Sequence, residues 1–311
     1  MPRTTPSAGT RIQVPAAIDP LWRSWRRSLA GADRSPNTIE AYRLALGSFS
    51  RWCEDHDRPV HPAEQRRDDV ESFAEDLLTR VSPGTVGTRL RGLRAWFRWL
   101  EREEEITRNP MKNVVIPTSI VQPPPVYEVA QLKALLAACK GKSLLDRRDL
   151  ALVRVLIDTG MRRGELAGLT IDDVDLEAGV LIVRNSKTRR GRVVPIGAKA
   201  VEAVDRYLRI RPSSRHATAP NLWLGVHGPF TGEGIRQAIA ARAKAAGIDG
   251  AFIHRFRHTL AHQWLAAGGE GLDLVQLAGW SGTGMLARYG ASAAAERARL
   301  AHRRLSPGDQ L

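Results

Sequence analysis

Cysteine is scarce in this chain. Cys53 and Cys139 are the only two, far apart and in helix-like contexts. They cannot build a disulfide framework or a thiolate zinc site, and they read as small buried apolar residues of a reduced, cytoplasmic protein. Long apolar runs are missing as well. None approaches the roughly 18–20 residues of a spanning helix, and the N-terminus lacks the apolar core of a signal peptide, which argues against a membrane partner. Acidic residues are outnumbered: 33 Asp and Glu stand against 47 Lys and Arg, a formal charge of +14. With a sequence pI near 10.7, the chain favours a polyanionic partner; with the membrane set aside, nucleic acid stands beside the reading of a merely soluble, Arg-rich chain. Long basic runs are mostly absent, so the excess charge is distributed, as suits phosphate tracking along grooves. There is no internal repeat, and no low-complexity tract beyond an alanine-rich tail.

What is present organises into two domains, a size that 311 residues accommodate comfortably. Residues 1–18, rich in Pro, Thr, Ser and Ala, are expected to form a mobile arm. Helical stripes follow at Leu21, Trp25 and Leu29; at Ile39, Tyr42, Leu46 and Phe49 behind a Ser35-Pro36 start; at Val70, Phe73 and Leu77; and at Val86, Leu90, Leu93, Phe97 and Leu100 behind Ser82-Pro83. Four such helices without a strand signal predict a small helical bundle over residues 19–112. A proline-rich joint spans 113–126, suited to two modules that close around one duplex. The second domain, 127–290, opens with Leu132, Leu135, Leu136 and Cys139 on one side of a helix. A second helix, with Leu150, Val153 and Ile157, stops at Gly160. Val180–Val183 and Arg192–Ile196 are β-rich runs around a polar, glycine-containing turn, so a hairpin is expected there. Further helices are expected over 235–246, 254–267, 272–278 and 283–289. The fold class is therefore mainly α, with a four-helix-type N-terminal domain and a mixed α+β second domain carrying a small antiparallel sheet.

Several local strings carry chemistry. Thr159-Gly160-Met161-Arg162-Arg163-Gly164-Glu165-Leu166 places an arginine just after a helix break. His254-Arg255-Phe256-Arg257-His258 puts His254 and Arg257 three apart on one helical face. Leu277-Ala278-Gly279-Trp280 is followed nine residues later by Tyr289, and Lys187 lies in the hairpin turn Asn185-Ser-Lys-Thr-Arg-Arg-Gly191. Arginine supplies two parallel donors and stays charged at any working pH, which suits it to the charge that builds on a phosphate under attack. Glu165, one turn after Arg162, would orient that guanidinium. A lysine is a plausible general acid, and a phenol becomes nucleophilic beside cations and a proton acceptor. Bland readings stand beside these: surface arginines, an ordinary i,i+3 pair, a solvated basic turn, a packed Tyr, a core Trp.

In order and approximate spacing these strings resemble the active site of the tyrosine recombinase (phage integrase) family. Ser35-Pro-Asn-Thr-Ile-Glu-Ala-Tyr42 and Thr88-Arg-Leu-Arg-Gly-Leu-Arg-Ala-Trp-Phe-Arg-Trp-Leu100, closed by Asn109-Pro110, look like its core-binding domain. The resemblance covers most of residues 19–300. It implies a SAM-like core-binding domain followed by a catalytic domain, in a Xer-like or mobile-element integrase without a separate arm-binding module. It implies site-specific cleavage and rejoining of double-stranded DNA through a covalent 3′-phosphotyrosine, with no metal, ATP or other cofactor. The site residues it implies are Arg162, Lys187, His254, Arg257, Trp280 and the nucleophile Tyr289, with Glu165 in support. Counting back from Val193-Val-Pro195 selects Lys187, whereas counting forward from the preceding strand lands on Ser186; Arg189 or Arg190 could also contribute. Trp280 stands where many relatives have histidine; its indole N–H can still donate to a phosphate oxygen, but an acid–base role is lost.

The partners implied are a specific DNA site, three further copies in a tetramer on DNA, and an accessory DNA-bending or directionality factor, at the bacterial nucleoid. Residues 291–311 form a tail of helical composition. Ala294, Ala298, Leu300, Ala301 and Leu305 give it only a thin apolar stripe, so it needs a docking surface. A neighbouring protomer is expected to supply that surface; a helix packed on its own domain is the alternative. Three other readings compete. His254, His258 and His262 recur every four residues and could ligate zinc, but no His-Glu-x-x-His accompanies them. Gly141-Lys142-Ser143 echoes the end of a P-loop, but Leu136 stands where its first glycine should be. The third is a DNA-binding or architectural protein of the same fold without catalysis.

Overall fold

A computed structural model describes residues 13–117, 124–184 and 191–280, together with 282–284, 286, 298–299, 302–303 and 305–310. The chain divides into two units, residues 1–120 and 121–311, each with its own core.

In the first unit, four helices, α1 (Asp19–Gly31), α2 (Pro36–Asp55), α3 (Arg67–Arg80) and α4 (Pro83–Arg102), surround a core rich in tryptophan. The Ser35 and Ser82 hydroxyls accept from the Thr38 and Thr85 amides at 3.2 and 3.4 Å, with proline at the first helical position behind each. These caps satisfy amides that have no partner within the helix. Leu46, Phe49, Phe73, Leu90, Leu93, Trp96, Phe97 and Leu100 are buried. Helices α2 and α4 approach closely at Gly92, where a Cβ would come within 2.6 Å of the Ala45 Cβ. On α1 the buried stripe is Trp22, Trp25 and Leu29, with Leu21 only partly covered. The larger indole wins the inward position and stacks edge-on to Trp25 at 5.8 Å. The expected arm is packed over its last residues: Ala16–Ile18 form a 3-10 turn, Ile18 is buried and Val14 lies against the core. Val114 and Ile116 of the expected joint also pack on this core.

The second unit is built on α6 (Leu144–Thr159), which packs against α8 (Ala198–Ile210) and α10 (Ile253–Ala266). Its buried stripe is Leu152, Val153, Val155 and Leu156; Leu150 and Ile157 are only partly buried at its flanks. A three-stranded antiparallel sheet runs β1 (Val174–Asp175), β2 (Val180–Val183), β3 (Arg192–Pro195). The β2–β3 hairpin is the expected one, with Val183 opposite Arg192. Helices α5 (Val129–Ala138), α7 (Arg163–Ala167), α9 (Gly232–Ala245) and α11 (Gly271–Ala278) complete the helical part, and a short β4 (Leu224–Gly225)–β5 (Gly228–Pro229) pair precedes α9. Buried Arg148 and Asp149 on α6 pair with each other, and Arg242 on α9 donates to Asp149 at 2.8 Å, tying the two helices together.

Ser143, the last residue of the P-loop-like string, is the N-cap of α6, accepting from the Asp146 amide at 3.2 Å. That segment is an ordinary helix start. Cys53 and Cys139 are both buried and unpaired with each other. Among the described residues no helix is long and apolar enough to cross a membrane.

Candidate active site

Helix α6 ends at Gly160 in the left-handed conformation, φ +52°. This glycine is required twice over, because a Cβ there would lie 2.9 Å from the Cα of Arg257 on α10. Buried Met161 anchors the turn, and Arg162 then caps α7. The Arg162 amide donates to Glu165 Oε2 at 3.0 Å, its Nη1 donates to Glu165 Oε1 at 2.8 Å, and its Nη2 donates to the Gly279 carbonyl at 3.1 Å. Glu165 therefore contacts the guanidinium as expected.

Arg257 lies one turn into α10 and is 2% exposed. Its Nη1 donates to the Gly160 carbonyl at 3.1 Å and its Nη2 to the Ala278 carbonyl at 2.6 Å. Both of these acceptors are neutral carbonyls, and together they fix the fork. A third arginine belongs to the same group. Arg192, the first residue of β3, grips Glu165 with both ends of its fork, at 3.1 and 2.8 Å, and its Nε donates to the Leu277 carbonyl at 3.3 Å.

Three consecutive carbonyls at the C-terminal end of α11 thus each receive one arginine: Leu277 from Arg192, Ala278 from Arg257, Gly279 from Arg162. Helix ends leave such carbonyls without partners and carry partial negative charge, so a cation is favoured there. Gly279, φ +61°, ends the helix. Trp280 follows at once, its amide donating to the Val275 carbonyl at 2.9 Å. The indole is buried among Ala261, Leu265, Leu274 and Ala278, and the Arg257 guanidinium carbon lies 5.4 Å from its ring centroid. Trp280 is therefore core and neighbour to Arg257 at once.

Burial pushes the Glu165 carboxyl up, but the hydrogen bonds from Arg192 and then Arg162 outweigh it, and its pKa falls to about 2. Because the folded value is depressed, the stability this ion pair contributes is present above the unfolded carboxyl's value. It is lost as pH falls through that range toward about 2. At neutral pH two arginines, Arg162 and Arg192, share this carboxylate, and with Arg257 on the same helix end the four groups carry a net positive charge.

His254 opens α10 and is exposed, whereas Arg257 is buried, so the two do not share an environment despite their spacing. Residues three apart on a helix are neighbours, so exposure changes along this side of α10. The His254 and His258 rings meet edge to face at 5.8 Å, but His258 is buried. Among the described residues no three His, Cys, Asp or Glu groups converge as a metal site. Lys187, with Ser186, Arg189 and Arg190, and Tyr289 lie outside the described residues. Arg192 was not singled out in the sequence as a site residue. Its one signal is a cation opening a strand, which meets the Arg162 string only once the hairpin is folded.

Fixed guanidinium forks with a net positive charge are the kind of donor that charge building on a phosphate calls for. Residues 126–296 match the phage integrase family, and residues 21–106 match the N-terminal SAM-like domain of phage integrases. The chain is 32% identical over 248 residues to tyrosine recombinase XerC 2 of Ralstonia nicotianae, covering 76% of this chain and 71% of the relative. It is 32% identical over 247 residues to tyrosine recombinase XerD of Pseudomonas putida, covering 78% and 82%. Among solved structures, XerA recombinase is 25% identical, with a TM-score of 0.53 over 93% of this chain and 99% of that one. The Tn1549 transposon integrase in complex with transposon right-end DNA shares the fold, with 20% identity and a TM-score of 0.73 over 90% and 99%. The chain belongs to the phage integrase family of tyrosine recombinases, and it is a site-specific recombinase. The family and fold class expected from the strings are borne out.

Proposed function

We propose that this recombinase cleaves and reseals a specific double-stranded DNA site through a covalent 3′-phosphotyrosine at Tyr289. Arg162 and Arg257 hold the non-bridging oxygens of the scissile phosphate. The Tyr289 oxygen bonds to phosphorus as the bond from phosphorus to the 5′ oxygen breaks, and Lys187 gives that oxygen its proton. His254 takes the phenolic proton or hydrogen-bonds the phosphate, and the Trp280 indole N–H donates to a phosphate oxygen. A 5′ hydroxyl from the recombining strand then attacks the phosphotyrosine, and the phenol leaves with a proton restored. The energy of the broken bond is kept in the ester, so neither ATP nor a metal is required.

The observation that carries this reading is the convergence of three arginines on one helix end, two of them sharing a single carboxylate. A merely architectural DNA-binding protein needs distributed surface charge, whereas this charge is forked, fixed by hydrogen bonds and buried or half-buried. The test uses a duplex site selected from a randomised library by the protein itself, then nicked so that cleavage releases a short strand and traps the adduct. A covalent protein–DNA species that forms equally in EDTA, with the attached nucleotide on the Tyr289 peptide by mass spectrometry, is expected. Specific binding without any adduct would instead leave the catalytically silent reading.

Recombination cuts two duplexes twice each, so the working unit is a homotetramer on DNA at the nucleoid, with an accessory DNA-bending or directionality factor where the site requires one. The tail after Tyr289 links the protomers. Its described residues Ala298, Arg299, His302, Arg303 and Leu305 are all exposed on their own unit, Leu305 at 58%, which supports docking elsewhere. Truncation after Ser292 is expected to weaken synapsis and cooperative binding while single-site binding survives. Lost monomer stability with unchanged cooperativity would place the tail on its own domain.

A further inference from the structure

We propose that Arg192 is a positioning residue for DNA cleavage: it saturates Glu165, so that Arg162 keeps its fork and its charge available to the phosphate. The inference rests on the reading that Arg162 clamps the scissile phosphate.

An ionised carboxylate offers about four lone-pair positions, and Glu165 has four donors. Oε1 accepts from Arg162 Nη1 and Arg192 Nη1 at 2.8 and 3.1 Å; Oε2 accepts from the Arg162 amide and Arg192 Nη2 at 3.0 and 2.8 Å. Arg192 alone makes the two-pronged pair. Arg162 uses one prong on Glu165 and spends the other on the Gly279 carbonyl. The two arginines therefore divide one carboxylate, and the stronger grip belongs to the one further from solvent: the Arg192 side chain is 12% exposed and that of Arg162 25%.

Without Arg192, two acceptor positions on a buried carboxylate would fall vacant. The nearest donor able to fill them is Arg162, which would turn its second prong from Gly279 to Glu165, because a parallel two-pronged pair is the strongest available to it. One arginine against one carboxylate would then cancel the local charge as well as misplace the fork. Arg192 prevents both. Its Nε bond to Leu277 also ties β3, the strand that follows the hairpin turn with Lys187, to the helix end that holds Arg162 and Arg257. Its guanidinium packs on Gly279, where a Cβ would lie 2.8 Å from Cζ, and each of its three nitrogens is already hydrogen-bonded to Glu165 or Leu277. It acts through Arg162.

The experiment measures single-turnover adduct formation on the nicked duplex, with binding to the intact duplex and thermal unfolding recorded for every variant. Arg192→Met is expected to lower cleavage by about 100-fold, the usual scale for a misplaced supporting contact, with binding within about threefold of the parent. Arg192→Lys keeps the charge without the fork and is expected to lose about 10-fold. The decisive variant is Arg192→Met combined with Glu165→Gln. A neutral amide no longer captures Arg162, so the double variant is expected to cleave about 10-fold faster than Arg192→Met alone. A purely structural role would make the second substitution neutral or harmful. A double variant no faster than Arg192→Met overturns the proposal, as does an Arg192→Met or Arg192→Lys protein that cleaves within about threefold of the parent. If Arg192→Met fails to fold, the Arg192→Lys rate decides. A parent protein that forms no adduct brings down the cleavage reading and this inference with it, whereas a competent parent with unaffected Arg192 variants removes only the positioning role.

Discussion

Tyr289→Phe is expected to bind the selected DNA site as the parent does and to form no covalent adduct. The substitution removes one oxygen and keeps the ring, so shape and packing survive. Contacts with phosphates along a duplex are many and independent of this hydroxyl, and binding should change by no more than about threefold. Cleavage is different, because in the proposed reaction the phenolic oxygen itself forms the storing bond. Removing a nucleophile from a concerted site costs on the order of 10⁴-fold or more, which places the variant at the floor of a gel assay. A phenol titrates near 10 in water, and in the proposed reaction the net positive charge of Arg162, Arg192, Arg257 and Glu165 would favour the developing phenolate. Phenylalanine cannot use that field. A persistent adduct in the Tyr289→Phe protein would remove Tyr289 from the nucleophile's place.

Much of this was legible before any fold was known, because the strings are local. A capping serine followed by proline announces α2 and α4 with no tertiary information, and β-branched runs around a glycine-containing turn announce β2 and β3. The Arg162 and Arg257 strings stand at a helix break and on a helix for the same local reason. What the sequence hid is tertiary. Arg192 is 27 positions from Glu165, and the pair exists because the hairpin folds back over α7. The choice of Trp22 over Leu21 for the core depends on which neighbour fills the space beside Trp25. Leu150 and Ile157 are apolar at helical spacing, yet α6 is covered most deeply along Leu152, Val153, Val155 and Leu156, since partners on several sides widen its buried face. His254 and Arg257 differ in exposure, one open and one buried, which spacing alone does not reveal. The rule of three and four selects a side of a helix; the neighbouring elements decide which part of that side is dry.

Arg257→Ala is expected to reduce single-turnover cleavage by about 10³-fold or more while leaving DNA binding within about tenfold. One oxyanion donor is commonly worth 10²–10³ in rate, and this group is a charged fork rather than a neutral donor. Its neighbours indicate where that free energy is used. Gly160 and Ala278 hold the two Nη atoms from behind at 3.1 and 2.6 Å, and the Trp280 ring lies 5.4 Å from Cζ. A cation fixed in this way does not reorganise as charge builds on the phosphate, so its effect falls on the transition state rather than the ground state. Alanine also strands two buried carbonyls and opens a cavity, at a cost in stability of about 2–4 kcal/mol. Unfolding must therefore be measured beside cleavage. Arg257→Lys separates the two effects. The ammonium can satisfy one carbonyl and restore the charge, so most of the stability should return, but cleavage should remain about 10²-fold down because a point charge cannot reproduce the fork. Arg162→Ala makes the useful comparison: its side chain is 25% exposed against 2% for the whole of Arg257, so it should lose a similar factor in rate with less stability. A folded Arg257→Ala protein that cleaves within about fivefold of the parent would make this arginine a strut between α6, α10 and α11, and the phosphate clamp would have to be sought at Arg162 alone.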